Sequence, residues 1–177
     1  MPAEQEAGAL PAPMDELKAY LRIAGGDDDA VLAGLLRSAA GLCERFVGQW
    51  LIARDARETV AGSGSWQRLS ARPVVAVTRV EAIDAEGNVQ SLPVDAYAVD
   101  IDAAGDGWVR AVPGDGRRLV VTYSAGLAAE MNGVPEALRQ GIIRLAAEHY
   151  LARGVEGGAP PAVVSALWRP YRRMRLA

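Results

Sequence analysis

The chain has 177 residues, of which 50% are hydrophobic and 23% charged, and its formal net charge is −3 at pH 7. This length suits one domain, or one domain with an insertion, and the apolar content excludes wholesale disorder. The pI of about 5.3 argues against a dedicated DNA-binding protein, whose surface is usually basic. We find no signal sequence and no apolar run long enough to span a membrane, so we expect a chain made in the cytoplasm.

The first third of the chain predicts two helices. Residues 1–13 are rich in Pro, Ala and Glu without a period and are interpreted as a mobile arm. A short helix is predicted from about Met14 to Ile23. A longer helix follows Asp27–Asp29, whose carboxylates we expect to cap its first turn. Its apolar residues recur at intervals of three and four: Val31, Leu32, Leu35, Leu36, Ala39, Leu42, Cys43, Phe46, Val47 and Trp50.

Three glycines recur every seven residues on the polar side of this long helix: Gly34, Gly41 and Gly48. Each glycine costs about 1 kcal/mol relative to alanine in a helix interior. A repeated small residue outside the core would let a neighbouring helix approach closely, which makes these positions a candidate subunit interface. A composition rich in Gly and Ala is the competing explanation.

Between about residues 55 and 125 the period changes to the two-residue alternation of β-strands. The β-branched run Val74–Ile83, a turn, and the return at Val89–Leu92 predict a hairpin. Further strands bring the number to five or six, in one small antiparallel sheet: Ala96–Ile101, Trp108–Val112 and Arg118–Tyr123.

Helical spacing returns after Pro135 and again from Ala162 to Trp168, with a Gly- and Pro-rich connection at 154–161 between them. The order of elements does not alternate strand with helix, as a parallel sheet would require. The sequence therefore predicts an α+β fold, in which a helical body of about four helices carries a small antiparallel β-sheet inserted between the second and third helices.

The inventory of reactive side chains does not support catalysis. His149 is the only histidine, and it lies on a partly apolar helix face where a packed histidine is the ordinary interpretation. Cys43 is the only cysteine, so neither a disulfide nor a Cys/His zinc site is available. A calcium loop beginning at Asp100 would have Ala104 and Ala111 at two of its ligand positions, so the stretch Asp100–Asp106 is interpreted as a hairpin turn. We expect no catalytic residue, no cofactor and no metal site.

The last ten residues, WRPYRRMRLA, raise the question of a docking site. They carry four arginines and no acid, whereas residues 1–30 hold seven acids against two bases. Trp, Tyr, Met and Arg are enriched at protein interfaces, so we expect residues 167–176 to be mobile until they dock. A nucleic-acid contact and a solvated basic tail are the alternatives. The docking candidates are Trp168, Arg169, Tyr171, Arg172, Arg173, Met174 and Arg175.

Five segments occur in an order that resembles one known family. They are DELKAYLRI, DDDAVLAGLLRSAAGLCERFVGQWL, RLSARPVVAVTRVEAIDAEGNVQSLPVDAYAVD, RLVVTYSAGL and VPEALRQGIIRLAAEHYLARG. Over nearly all of the chain from Met14 onward, this order resembles the head–tail adaptor (head completion, connector) proteins of long-tailed phages and gene transfer agents.

The resemblance implies a structural role for residues 14–177 as a single adaptor domain, with the β insertion at about 55–125 and a C-terminal docking segment at about 160–177. Members of the family form a ring, typically a dodecamer, beneath the portal of a DNA-filled capsid. The implied partners are other copies of the chain, the portal protein, a stopper or tail-completion protein, and DNA that passes without sequence-specific contact. No membrane is implied. The implied location is the head–tail junction of a particle assembled in a bacterial cytoplasm.

Three other functions compete with the adaptor. The chain could be a sequence-independent nucleic-acid-binding protein that uses its basic tail, another neck component such as a stopper, or an enzyme with an unfamiliar site.

Overall fold

The computed structural model describes residues 13–111, 118–152 and 160–173. The predicted N-terminal arm as far as residue 12, most of the Gly-rich connection, and the docking candidates Met174 and Arg175 lie outside the described residues. The described chain forms two compact units. The helical unit is drawn from Gly8–Ile52 and Ala128–Ala177, and the β unit is Ala53–Leu127.

The helical unit contains four α-helices among its described residues, as the sequence predicted. They are α1 (Met14–Leu21), α2 (Asp29–Val47), α3 (Glu136–Leu151) and α4 (Ala162–Trp168). The predicted period of α2 is the period of its buried face: Leu32, Leu36, Ala39, Cys43 and Val47 are buried. The chain leaves the helical unit after Ile52 and returns to it at Ala128, and these two residues lie side by side in a parallel β-bridge.

The expected capping of α2 by its aspartates is wrong. Asp28 occupies the N-cap position, but its side chain makes no cap hydrogen bond. Its Oδ2 instead accepts a hydrogen bond from the Tyr150 hydroxyl at 2.7 Å. Asp29 Oδ1 forms an ion pair with Lys18 Nζ at 2.8 Å. These carboxylates therefore join α2 to α3 and α1. Each binds a side chain of another helix instead of the backbone amides at the start of its own.

The β unit contains seven strands in its described residues, arranged in two antiparallel sheets. The four-stranded sheet has the order β1-β7-β3-β4 and the three-stranded sheet the order β2-β6-β5. The strands are β1 (Arg54–Ala61), β2 (Gln67–Arg68), β3 (Val74–Ile83), β4 (Val89–Ser91), β5 (Tyr97–Ile101), β6 (Gly107–Ala111) and β7 (Arg118–Ala125).

The insertion of antiparallel β structure between α2 and α3 confirms the predicted fold class. The prediction of a single sheet is wrong, because β1 and β2 were not recognised and the strands divide between two sheets. The reason is the polar sequence of β1, in which Glu58 is a buried residue. Its Oε1 accepts a hydrogen bond from the Ser70 amide at 2.9 Å, and its Oε2 accepts one from the Ser70 hydroxyl. A buried carboxylate whose hydrogen bonds are all made within the protein cannot be distinguished from an exposed carboxylate by the sequence pattern.

Asp106 ties the hairpin turn between β5 and β6 to the segment after β2. Its Oδ2 lies 2.6 Å from a guanidinium nitrogen of Arg68 and its Oδ1 lies 3.3 Å from one of Arg72. Burial alone would raise the pKa of Asp106, but the hydrogen bonds and charges of the two arginines outweigh burial and hold the pKa below its ordinary value. The ionised carboxylate therefore stabilises the folded β unit.

We expect Asp106→Asn to lower the free energy of unfolding by about 1–3 kcal/mol at neutral pH, as for a hydrogen bond to a charged group. Because the folded pKa lies below the unfolded value of about 3.9, this stabilisation is present above that value and is lost as the pH falls through the folded pKa. Urea denaturation across the acid range should show the wild type and the variant converging below about pH 4.

The matched control is Asp95→Asn, an exposed carboxylate in the same unit that should change stability little at any pH. A difference between wild type and Asp106→Asn that persists unchanged into strong acid would contradict the assignment.

Candidate functional site

The C-terminal candidate segment begins with a residue that is fully buried. Trp168 is 0% exposed, its ring centroid lies 5.7 Å from that of Phe46, and its Nε1 donates to the Leu138 carbonyl at 3.3 Å. A Cβ added to Gly141 would lie 2.1 Å from Trp168 Nε1. The indole therefore occupies a space on α3 that only glycine leaves open. Trp168 is a core residue, and its side chain is not part of a free tail.

Residues 171–173 contact the C-terminal end of α2. The Gln49 side-chain amide donates to the Tyr171 carbonyl at 2.7 Å, and the Arg173 amide donates to the Val47 carbonyl at 2.9 Å. The Arg172 guanidinium carbon lies 5.6 Å from the Phe46 ring centroid. Residues 167–176 were expected to be mobile, but Trp168 is buried and the Arg173 amide is hydrogen-bonded to α2.

Three arginines of the segment remain exposed in this arrangement: Arg169, Arg172 and Arg173. Tyr171 is half-buried. The structure thus brings four of the docking candidates together at one end of the helical unit, places Trp168 beneath them, and leaves Met174 and Arg175 outside the described residues.

The three glycines of α2 differ in their surroundings. A Cβ built on Gly34 would meet no described atom within 4 Å, and one on Gly41 would meet only an Arg45 side-chain nitrogen at 3.7 Å. Gly48 stands at the C-cap with a φ of 71°, a left-handed conformation that glycine adopts without strain. Gly34 and Gly41 therefore leave room beside the helix, whereas glycine at position 48 is explained by the left-handed backbone conformation.

The reactive groups of the described chain are scattered. Cys43 is fully buried, and burial raises the pKa of its thiol far above its ordinary range, so the thiol stays protonated. His149 is half-buried on α3. No group of three or more His, Cys, Asp or Glu side chains suited to a metal ion occurs among the described residues. Across the described ranges, no helix has both the length and the apolar character that crossing a bilayer requires.

The stretch Asp100–Asp106 is the predicted hairpin turn between β5 and β6. Asp102 Oδ1 accepts hydrogen bonds from the amides of Ala104 at 2.8 Å and Asp106 at 2.9 Å. This carboxylate is therefore occupied by the backbone of its own turn.

The outer side of the three-stranded sheet carries two Trp–Arg pairs that the sequence analysis did not identify. Arg68 on β2 lies opposite Trp108 on β6, and its guanidinium carbon is 5.8 Å from the Trp108 ring centroid. One step along the same register, the Arg110 guanidinium carbon is 4.9 Å from the Trp66 ring centroid. We call Trp66, Arg68, Trp108 and Arg110 the tryptophan–arginine face.

A signal for this face was present in the sequence. Trp66-Gln67-Arg68 and Trp108-Val109-Arg110 repeat the pattern Trp-x-Arg. Alternate residues of a strand share one side of the sheet, so antiparallel pairing of two such stretches sets each Trp opposite an Arg. The pattern becomes informative only once β2 is recognised as the partner of β6.

The described chain is thus an α+β protein in which two antiparallel sheets form a unit inserted into a helical one. Three solved structures similar to this chain come from gene transfer agent (GTA) particles. A chain in the neck of an empty GTA particle, computed with C6 symmetry, has 27% sequence identity and a TM-score of 0.80 over 98% of this chain and 96% of that one.

Two further structures have similar values. A chain in the virion of a native GTA particle has 28% identity and a TM-score of 0.78 over 98% of this chain and 96% of that one. A chain in the neck of a native GTA particle, computed with C12 symmetry, has 28% identity and a TM-score of 0.75 over 100% and 98%. No protein-family model matches the chain, and no curated protein matches its sequence. The structural neighbours confirm the resemblance to the head–tail adaptor family of phages and gene transfer agents.

We expect Gly141→Ala to destabilise the protein by about 1–3 kcal/mol, the ordinary cost of overpacking a core, because the new methyl group would overlap the Trp168 indole. Gly34→Ala is the matched control, since it makes the same change in a helix where nothing described lies nearby. That control should stabilise by up to about 1 kcal/mol.

Urea denaturation followed by tryptophan fluorescence and circular dichroism measures both effects. Equal stabilities for the two variants would show that Trp168 does not require glycine at position 141.

Proposed function

We propose that the chain is a structural protein of the neck of a phage-like particle, where it acts as the head–tail adaptor between the portal and the next neck component. The observation that carries the proposal is its similarity, over 98% of its length and with a TM-score of 0.80, to a chain in the neck of a GTA particle. No catalytic step or cofactor is part of the proposal. The proposed location is the head–tail junction of a particle, after assembly in a bacterial cytoplasm.

In this proposal the copies form a closed ring, typically a dodecamer, through which DNA passes without sequence-specific contact. Support comes from the neighbouring GTA necks, which were computed with C6 and C12 symmetry. A ring of identical chains needs two different, complementary surfaces on each copy. The space beside Gly34 and Gly41 makes the exposed side of α2 a candidate for one of them.

The C-terminal segment is the proposed portal contact. The exposed guanidinium groups of Arg169, Arg172 and Arg173 can each form two parallel hydrogen bonds with a carboxylate of the partner. Burial of Trp168 anchors this segment, so part of the ordering is complete before docking. The segment proposed to dock runs over about 160–177, at the end of one adaptor domain of residues 14–177 whose β insertion spans about 55–125.

Deletion of the gene in the organism that encodes the chain should yield filled heads without attached tails, and expression of the chain in trans should restore tailed particles. Electron cryo-microscopy of the restored particles should show the chain between the portal and the tail. Deletion particles with a complete neck would refute the proposed function.

The portal contact has its own test. Arg169→Glu with Arg173→Glu should leave the free energy of unfolding within about 0.5 kcal/mol of wild type, as for exposed positions, and should sharply reduce attachment to portal-bearing heads. The control is Arg79→Glu with Arg118→Glu, which makes the same charge change at exposed positions of the four-stranded sheet.

Equal attachment by both double variants would remove the portal contact from the proposal. A salt-dependent DNA complex that is lost in the Arg169/Arg173 variant would instead favour a nucleic-acid-binding tail.

A further inference from the structure

We propose that the tryptophan–arginine face of one copy docks onto the exposed start of α2 in the next copy of the chain. This inference rests on the proposed ring and names the two surfaces that would close it.

The tryptophan–arginine face has the composition and exposure of a contact surface. Trp66 is 41% exposed and Arg110 is exposed, and their stacking orients the guanidinium without neutralising it. Arg68 is paired with Asp106, whereas Arg110 has no ion pair with any residue that the structure describes. Trp and Arg in contact are the residue types that dominate binding energy at protein interfaces. A partner that covers Trp66 can therefore pair a carboxylate with Arg110.

The charges around the face favour a protein over a nucleic acid. Asp100 lies opposite Trp108 on β5 and is exposed, and Asp102 and Asp106 lie in the adjoining turn. Three carboxylates therefore stand beside three arginines, Arg68, Arg72 and Arg110, since Arg72 is the second partner of Asp106. These groups carry no net positive charge, whereas nucleic-acid interfaces are strongly positive. A single well-placed carboxylate next to apolar groups fits this arrangement.

The turn that leads into α2 presents such a carboxylate. Asp27 is exposed and has no hydrogen bond or ion pair with a described residue, whereas Asp28 and Asp29 are held by Tyr150 and Lys18. Val31, 54% exposed, lies in the first turn of α2, four residues after Asp27, and offers an apolar surface. A second copy of this acidic chain therefore supplies the charge that Arg110 lacks and an apolar side chain to cover Trp66.

A nearby position on α2 has the shape that a tryptophan would need. Gly34 is half-buried and follows Val31 by three residues, and a Cβ there would meet no described atom within 4 Å. A flat indole can approach the helix backbone at such a position. Because the two surfaces differ and each copy carries both, the contact is heterologous and can repeat around a ring.

Two variants remove one surface each. The face variant is Trp66→Ala with Arg110→Ala, and the helix variant is Asp27→Asn with Val31→Ser. Sedimentation velocity of the full chain from micromolar to millimolar concentration should show self-association of the wild type. Each variant should raise the dissociation constant roughly 30-fold or more, as expected for loss of a hot spot.

The control variant is Arg57→Ala with Val89→Ala, which alters an arginine and a valine that are exposed on the four-stranded sheet. Its dissociation constant should equal that of the wild type. Circular dichroism confirms that each variant is folded, and Arg110→Gln, which changes one exposed side chain, replaces the face variant if that one unfolds.

Mixing provides the decisive measurement. Each variant keeps the surface that the other has lost, so a mixture of the face and helix variants should form one-to-one dimers and nothing larger. A face variant that associates like the wild type, a mixture that forms larger rings, or a wild type that stays monomeric throughout would overturn the inference.

A fluorescent oligothymidylate distinguishes the other class of partner. Binding by the wild type that is lost in the face variant would assign the face to nucleic acid and overturn the inference. The proposed function has a separate test: it would be refuted if the chain were absent from the neck of the restored particles. A chain present in the neck whose face variant still assembles would leave that function standing without this contact.

Discussion

The contact between Trp168 and Gly141 fixes the end of the helical unit. Helix α4 has 7 residues, and a helix of that length is not stable in water without tertiary contacts. Its stability comes from Val164 and Trp168, both 0% exposed, and the indole can reach α3 because position 141 has no side chain. The pairing of Trp168 with Phe46 adds about 0.5–1.5 kcal/mol beyond burial. Arg169, Arg172 and Arg173 are consequently exposed near the C-terminal end of α2.

Several acidic side chains of the described chain serve the fold. Glu58 accepts hydrogen bonds from Ser70, Asp106 pairs with Arg68 and Arg72, and Asp102 closes its own turn. A carboxylate engaged in this way is poorly placed to act as a base or to bind an ion. The ionisable groups that remain for interaction, such as Asp27 and Arg110, are at the surface.

The sequence predicted best those elements whose buried residues are all apolar. Strand β3 has the predicted bounds Val74–Ile83, and α2 follows its apolar stripe, because in both the buried residues are apolar. Strand β1 was missed because a carboxylate stands at one of its buried positions. The burial of Trp168 was missed for a different reason. A tryptophan among arginines is compatible with a protein core and with a protein interface, so the local sequence does not distinguish the two. The contact with Gly141, on another helix, shows that Trp168 belongs to the core.

In the two surfaces proposed for the ring, the charged residues and the apolar residues would contribute differently to association. Exposed charges are screened at physiological ionic strength, so Asp27 and Arg110 would set the direction and register of docking more than its strength. Strength would come from covering Trp66 and Val31, which are large apolar side chains left 41% and 54% exposed. Since each surface is complementary to the other and not to itself, copies would add head to tail. The angle between the surfaces of one copy would then decide where the ring closes.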